Sequence, residues 1–173
     1  MTNEPISDVR WLTQSENEAW VALVDLMFRL PSTLESDLQR ESNLSFYEYM
    51  VLAMLSEHPE RTLGMGYLAN LTSGSLSRLS HVIKRLETAG YVTRTRSTKD
   101  KRHTNAHLTD AGYEKIVASA PSHVTKARET VFDSLTQEQV AQLSEIANAI
   151  RENLDENRLS PCEESKPACT NPA

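Results

Sequence analysis

Ser75, Ser77, Arg78, His81, Lys84 and Arg85 recur at helical offsets, so a helix over residues 75–88 places them on one face. Hydroxyl, guanidinium and ammonium groups in that arrangement share one chemistry, the binding of anions. They contain no nucleophile paired with a base. The nearest approach to a catalytic or metal cluster elsewhere is His103 and His107 with Asp100 and Asp110. Strand alternation puts both histidines on one side, and no cysteine or Glu-x-x-His partner supplies further ligands. The expectation is therefore a binding protein, not an enzyme, with no cofactor and no metal.

The charge distribution says what kind of anion. Between residues 75 and 102 lie Arg78, Lys84, Arg85, Arg94, Arg96, Lys99, Lys101 and Arg102, against Glu87 and Asp100, which gives 8 − 2 = +6. The whole chain of 173 residues carries −6, so the remainder sums to −6 − 6 = −12. A basic island in an acidic protein calls for an anionic partner at that island. Arg78 suits base reading, because a guanidinium bridges O6 and N7 of guanine, while Lys84 and Arg85 lie further along and suit phosphates. His81 fits either a DNA contact or a plain surface histidine.

The elements that must hold these residues follow from local pattern. Thr13 with Glu16, Ser45 with Glu48, and Thr136 with Gln139 are capping boxes, each opening a helix. The first helix carries Trp20, Leu23, Val24, Met27, Phe28, Leu30 and Leu34 at helical spacing, with Pro31 kinking rather than ending it. The second ends before His58-Pro59. Residues 61–63 could add a small strand, and residues 66–72 form a brief helix with Leu68, Ala69 and Leu71 inward. Thr72-Ser73-Gly74-Ser75 is a turn that also caps the helix over 75–88, whose Leu76, Leu79, Val82, Ile83 and Leu86 face inward. Gly90 suits a left-handed C-cap. Residues 91–96 and 103–109 read as a hairpin with a basic tip over 97–102. A helix from Asp110 to about Leu135, interrupted by Pro121, and a last helix with Val140, Leu143, Ile146, Ile150 and Leu154 complete the chain. Short helix, turn, basic helix and basic hairpin in that order is a helix-turn-helix arrangement that puts its second helix in the major groove of double-stranded DNA. On this pattern the DNA-binding set is Ser73, Ser75, Ser77, Arg78, His81, Lys84, Arg85, Arg94, Arg96, Lys99, Lys101 and Arg102.

Three runs make the arrangement more specific: Arg85-Leu86-Glu87-Thr88-Ala89-Gly90-Tyr91-Val92-Thr93-Arg94, Asp100-Lys101-Arg102, and Leu108-Thr109-Asp110-Ala111-Gly112. Together with residues 76–81 they resemble the MarR family of winged helix-turn-helix transcriptional regulators, over about residues 13–155. Trp-Leu-Thr at 11–13, Leu-Pro at 30–31 and Phe-Tyr-Glu-Tyr at 46–49 resemble an actinobacterial-type branch. The resemblance implies a mainly α fold with a small β-wing, in which residues 62–109 form the DNA-binding lobe and residues 13–42 and 110–155 the dimerisation helices. It implies a homodimeric repressor on a pseudo-palindromic operator. Ser75, Ser77, Arg78 and His81 would lie in the major groove and Arg102 in the minor groove, oriented by Asp100. Gly66 and Gly64 depart from the family, which often has a Ser or Thr cap and a basic residue there.

The flanks fit this assignment. Residues 1–12 read as a flexible lead and 156–173 as a disordered tail. The apolar stripes of the first and last helices exceed what one small lobe can cover, which points to a dimer. No window approaches eighteen uninterrupted apolar residues and residues 1–10 lack a secretory pattern, so a cytoplasmic protein without a membrane partner is expected. The resemblance also implies release by a small aromatic or phenolic effector. A pocket for it would draw on Trp20, Met27, Phe46, Tyr49 and Met50, although aromatic and Met residues at helical spacing more commonly pack as core. Two alternatives remain: a redox-responsive regulator using Cys162 and Cys169, and a winged-helix module for protein contacts. The cluster Arg94, Arg96, Lys99, Lys101 and Arg102 argues against the second, and the acidic setting of both cysteines against the first.

Overall fold

The computed structural model describes residues 9–96 and 103–156, with side chains to residue 154. Its elements are α1 (Gln14–Ser42), α2 (Phe46–Glu57), β1 (Thr62–Gly64), α3 (Met65–Leu71), α4 (Leu76–Thr88), β2 (Val92–Arg96), β3 (Thr104–Leu108), α5 (Asp110–Thr130), a single 3-10 turn (Phe132–Ser134) and α6 (Gln137–Glu156). The chain divides into two compact units between Arg128 and Glu129. The mainly helical fold with a small sheet agrees with the sequence reading, as do the short strand after residue 61 and the hairpin.

Caps decide where the helices begin. Thr13 accepts from the Glu16 amide, and the Glu16 carboxylate accepts from the Thr13 amide at 2.7 Å. Ser45 and Glu48 do the same at the start of α2, and Thr136 with Gln139 at the start of α6. These reciprocal bonds satisfy amides that have no partner inside the helix. α1 continues through Pro31, where Ser32 and Thr33 hydroxyls both donate to the Arg29 carbonyl. α5 runs through Pro121 but stops at Thr130, short of the expected Leu135.

The core of the first unit is built from α2, α3, α4 and the sheet. Leu52, Leu55, Leu68, Leu79, Ile83, Leu86, Val92 and Leu108 are essentially inaccessible, joined by Leu38 of α1 and Ile116 of α5. The sheet is antiparallel in the order β1-β3-β2, with Leu63 opposite Ala106 and Val92 opposite Leu108. Two residues expected inward are not: Leu71 is 39% and Leu76 55% exposed. Both end a short helix or begin the next one, where the turn between helices rotates their side chains off the core-facing stripe.

α1 changes character along its length. Leu34 and Leu38 are buried, while Trp20, Val21, Leu26, Met27 and Phe28 lie open on the N-terminal half, Phe28 at 78%. In the second unit α6 likewise exposes Leu143, Ile146, Ile150 and Leu154. Among the described residues no helix is long and apolar enough to cross a membrane.

Candidate nucleic-acid interface

α3 ends in a tight turn that aims α4. The Ser73 amide donates to the Asn70 carbonyl at 3.1 Å and the Gly74 amide to the Ala69 carbonyl at 3.0 Å. Ser73 carries the left-handed conformation, φ 50°, that glycine usually takes at such a C-terminus. Ser75 then caps α4, its hydroxyl accepting from the Arg78 amide at 3.2 Å. At the other end Gly90, φ 79°, and Tyr91 return their amides to the Glu87 and Leu86 carbonyls, as expected for a glycine C-cap. Thr109 locks the exit: its hydroxyl donates to the Gly90 carbonyl at 2.7 Å and accepts from the Gly112 amide at 3.0 Å. A Cβ on Gly112 would collide with the Tyr91 carbonyl and Leu108, so the backbones of α5 and the wing meet there only because residue 112 is glycine.

The outer face of α4 displays Ser75, Leu76, Ser77, Arg78, His81, Lys84 and Arg85, all exposed. Its basic residues are of two kinds. Lys84 has no carboxylate partner among the described residues, nor does Arg96 at the end of β2. Arg85 and Arg94, by contrast, are tied down. Arg85 Nε lies 3.1 Å from Glu48 of α2, a carboxylate 4% exposed that also accepts from the Ser45 amide and hydroxyl. Arg94 meets Glu87 through its side chain at 2.6 and 2.8 Å and through its backbone amide at 3.1 Å, which clamps β2 to the end of α4. The charged hydrogen bonds to Glu87 fix the Arg94 guanidinium in place, whereas Arg85 and Glu48 form an ion pair. Ser73 lies at the turn, exposed.

Arg78 is held differently. Its guanidinium carbon sits 4.5 Å from the centre of the Tyr47 ring. The Tyr47 hydroxyl lies 2.8 Å from Thr72 Oγ1 in the turn. The sequence shows Glu48 only as the capping partner of Ser45 and Tyr47 only as part of a helix that reads as plain core. No local pattern links them to residues 31 or more positions away. Lys99, Asp100, Lys101 and Arg102, assigned to the hairpin tip, lie outside the described residues, as do Cys162 and Cys169.

The five residues assigned to an effector pocket fall in two places. Trp20 and Met27 are on the open stripe of α1. Phe46, Tyr49 and Met50 belong to or border the core of the first unit. There Phe46 and Tyr49 flank His123 of α5, with ring centres 6.0 and 4.2 Å away. His123 Nδ1 is buried without a hydrogen-bond partner among the described residues, and burial pushes the imidazole pKa below its ordinary range. Ser122 bonds the Glu41 carboxylate of α1, and Lys126 pairs with Asp37 at 3.1 Å, so α5 is pinned to α1 on both sides of His123. The Ser122 bond and Arg40 hold Glu41 below the usual carboxylate range; Lys126 and Arg40 do the same for Asp37 against a smaller desolvation effect.

A three-stranded antiparallel sheet whose hairpin follows a capped, basic second helix defines a winged helix-turn-helix protein. Comparison with known proteins narrows the class. The family described as "Transcriptional regulator SarA/Rot" matches residues 33–118. Sco3205 of Streptomyces coelicolor, a MarR family transcriptional regulator solved in complex with DNA, is 40% identical, with a TM-score of 0.81 over 86% of this chain and 92% of that one. AbsC, a MarR family regulator of the same organism, is 36% identical, with a TM-score of 0.79 over 86% of this chain and 99% of that one. YkoM of Bacillus subtilis, named an HTH-type transcriptional regulator, is 31% identical over 105 residues, which span 60% of this chain and 66% of that protein. The chain belongs to the MarR family of transcriptional regulators, a family of regulators and not of enzymes.

Proposed function

We propose that this protein is a cytoplasmic, sequence-specific regulator that binds double-stranded DNA as a homodimer, acting as a repressor on a pseudo-palindromic operator. The observation that carries the reading is the outer face of α4: a capped helix start with two serines, Arg78 and Lys84 turned to solvent, and no carboxylate among its exposed residues 75–85. A relative at 40% identity solved with DNA supports it. On this reading Ser75, Ser77, Arg78 and His81 enter the major groove, Lys84 and Arg96 meet phosphates, and Arg102, oriented by Asp100, reaches the minor groove. Ser73, Lys99 and Lys101 add backbone contacts. Arg85 and Arg94 reach phosphate only with the hydrogens that Glu48 and Glu87 leave free. The DNA-binding lobe is residues 62–109, with 13–42 and 110–155 as dimerisation helices. A second copy covers the open stripe of α1, and two lobes then read half-sites about 34–36 Å apart or a multiple of that.

Release by a small phenolic or aromatic ligand is part of the same proposal and rests on the family resemblance; of the residues assigned to its pocket, Phe46 and Tyr49 pack against His123.

The test is operator binding over a range of salt. Each phosphate neutralised contributes a slope of about −0.9 to log K against log salt, so a steep line is expected. A flat line overturns DNA binding through this face. Arg78→Ala should cost about 1–3 kcal/mol at one base position and relax specificity there. A uniform loss across all sequences would make Arg78 a phosphate contact instead.

A further inference from the structure

We propose that Tyr47 of α2 is a positioning residue for base reading, acting through Arg78 and built into the turn by Gly74. The inference rests on the assignment of Arg78 as the base-reading residue.

Three contacts converge on Tyr47. The Arg78 guanidinium stacks over its ring at 4.5 Å. Its hydroxyl meets Thr72 Oγ1 at 2.8 Å, while that oxygen donates to the Leu68 carbonyl at 2.9 Å. A threonine hydroxyl has one proton. With it committed to Leu68, Tyr47 is the donor to Thr72. The third contact is with Gly74: a Cβ there would overlap the Tyr47 hydroxyl and come within 3.0 Å of its Cζ. Gly74 does not have positive φ, so glycine is needed for space and not for backbone conformation.

The consequence is a side chain on α2 that is fixed at its far end by the turn and offers its face to the guanidinium. An arginine at an exposed helix start would otherwise sample many rotamers, and each must be given up on binding. Stacking confines the guanidinium to one plane and leaves its edge hydrogens free for an acceptor pair such as O6 and N7 of guanine. Tyr47 itself need not touch DNA.

The test uses the full-length protein, an operator, and operators altered singly at each base pair. Arg78→Ala first identifies the base pair that Arg78 reads. Tyr47→Phe keeps the ring and should retain discrimination there within about twofold, since the stack is unchanged. Tyr47→Leu should lose discrimination at that position by about two- to fivefold, the usual worth of an exposed cation–π contact. It should lose nothing further in the Arg78→Ala background, and the salt slope should stay the same. Gly74→Ala spares the core and displaces the tyrosine hydroxyl. It should cause the same positional loss, and Tyr47→Phe added to it should restore part of the discrimination, since the clashing oxygen is gone while Cζ stays 3.0 Å from the new Cβ. If Arg78→Ala changes no base preference, base reading by Arg78 fails. If Arg78→Ala relaxes one position but Tyr47→Leu and Gly74→Ala do not, the role of Tyr47 fails. Loss at all positions with a changed salt slope, or a Gly74→Ala defect that phenylalanine does not rescue, also overturns it, because the tyrosine then places the whole helix.

Discussion

The outer face of α4 and the N-terminal half of α1 are both exposed helix surfaces of one chain. The first shows Ser75, Ser77, Arg78, His81 and Lys84; the second shows Trp20, Val21, Leu26, Met27 and Phe28. Water solvates the first set readily, and its side chains are partly fixed from beneath, by Tyr47 under Arg78 and Glu48 beside Arg85. The second set is an apolar patch that water disfavours. Each surface lacks a different thing. A charged face is stable alone and gains a partner through counterion release. An apolar stripe gains from any cover, and in the proposed homodimer that cover is its counterpart on the second copy.

The largest effect should come from breaking the apolar side. Phe28→Asp places a carboxylate at the most exposed of these apolar positions, 78%. Burying it unpaired costs several kcal/mol, so self-association should weaken by at least about 100-fold. Sedimentation velocity across a concentration series would read this, and operator affinity should fall with it as one half-site is lost. A Phe28→Asp protein that still dimerises normally would remove α1 from the interface and end the comparison.

The second test divides the charged side. Lys84→Ala should reduce the salt slope by about 1 with little change in melting temperature. Arg85→Ala should lower the slope by less than Lys84→Ala does and lower stability by no more than about 1 kcal/mol, because the buried Glu48 carboxylate loses its counter-charge but keeps the Ser45 amide and hydroxyl, and the exposure of Arg85 limits the loss. Equal effects of the two substitutions would show that the Glu48 pair does not set Arg85 apart.

Much of the fold was legible because it is local. Thr13, Ser45 and Thr136 announced their helices through a partner three residues on, and Gly90 announced an end. The inward face of α4 followed from period alone, with Leu76 the exception. What periodicity could not show was which cations were already engaged. Arg85 and Arg94 looked like Lys84 in the sequence; Glu48 lies 37 positions from Arg85, and only the packing of α2 under α4 brings them together. Tyr47 was hidden in the same way. The role of Gly112 was visible as a motif, but its reason, the approach of the Tyr91 carbonyl, was not.

The packing of α5 against α1 and α2 gives a third test. His123 is held neutral by burial, with its pKa below the ordinary 6.5. The unfolded chain takes up the proton as pH falls through 6.5, whereas the folded chain resists until its lower value is reached. This contribution to stability is therefore full above 6.5 and is lost as pH falls through the folded value. His123→Phe should flatten the decline of the urea midpoint between about pH 7.5 and about pH 5, a window above that in which Asp37 and Glu41 titrate. An unchanged decline would assign the acid sensitivity to other groups.

The smallest effect should come at the edge of the reading surface. Ser73 adopts φ 50°, which costs a non-glycine residue about 1–2 kcal/mol. Glycine would relieve that but would lose about 0.5–1 kcal/mol more backbone entropy on folding. The two partly offset, so Ser73→Gly should raise stability by no more than about 1.5 kcal/mol. Operator affinity then decides why serine stands there. If the hydroxyl holds a phosphate, affinity falls about fivefold, the worth of one net hydrogen bond of about 1 kcal/mol, while stability rises slightly. If affinity is unchanged, Ser73 shapes the turn and the charged face begins at Ser75. That result would narrow the contact set to α4 and the wing, and leave the turn to Tyr47 and Thr72.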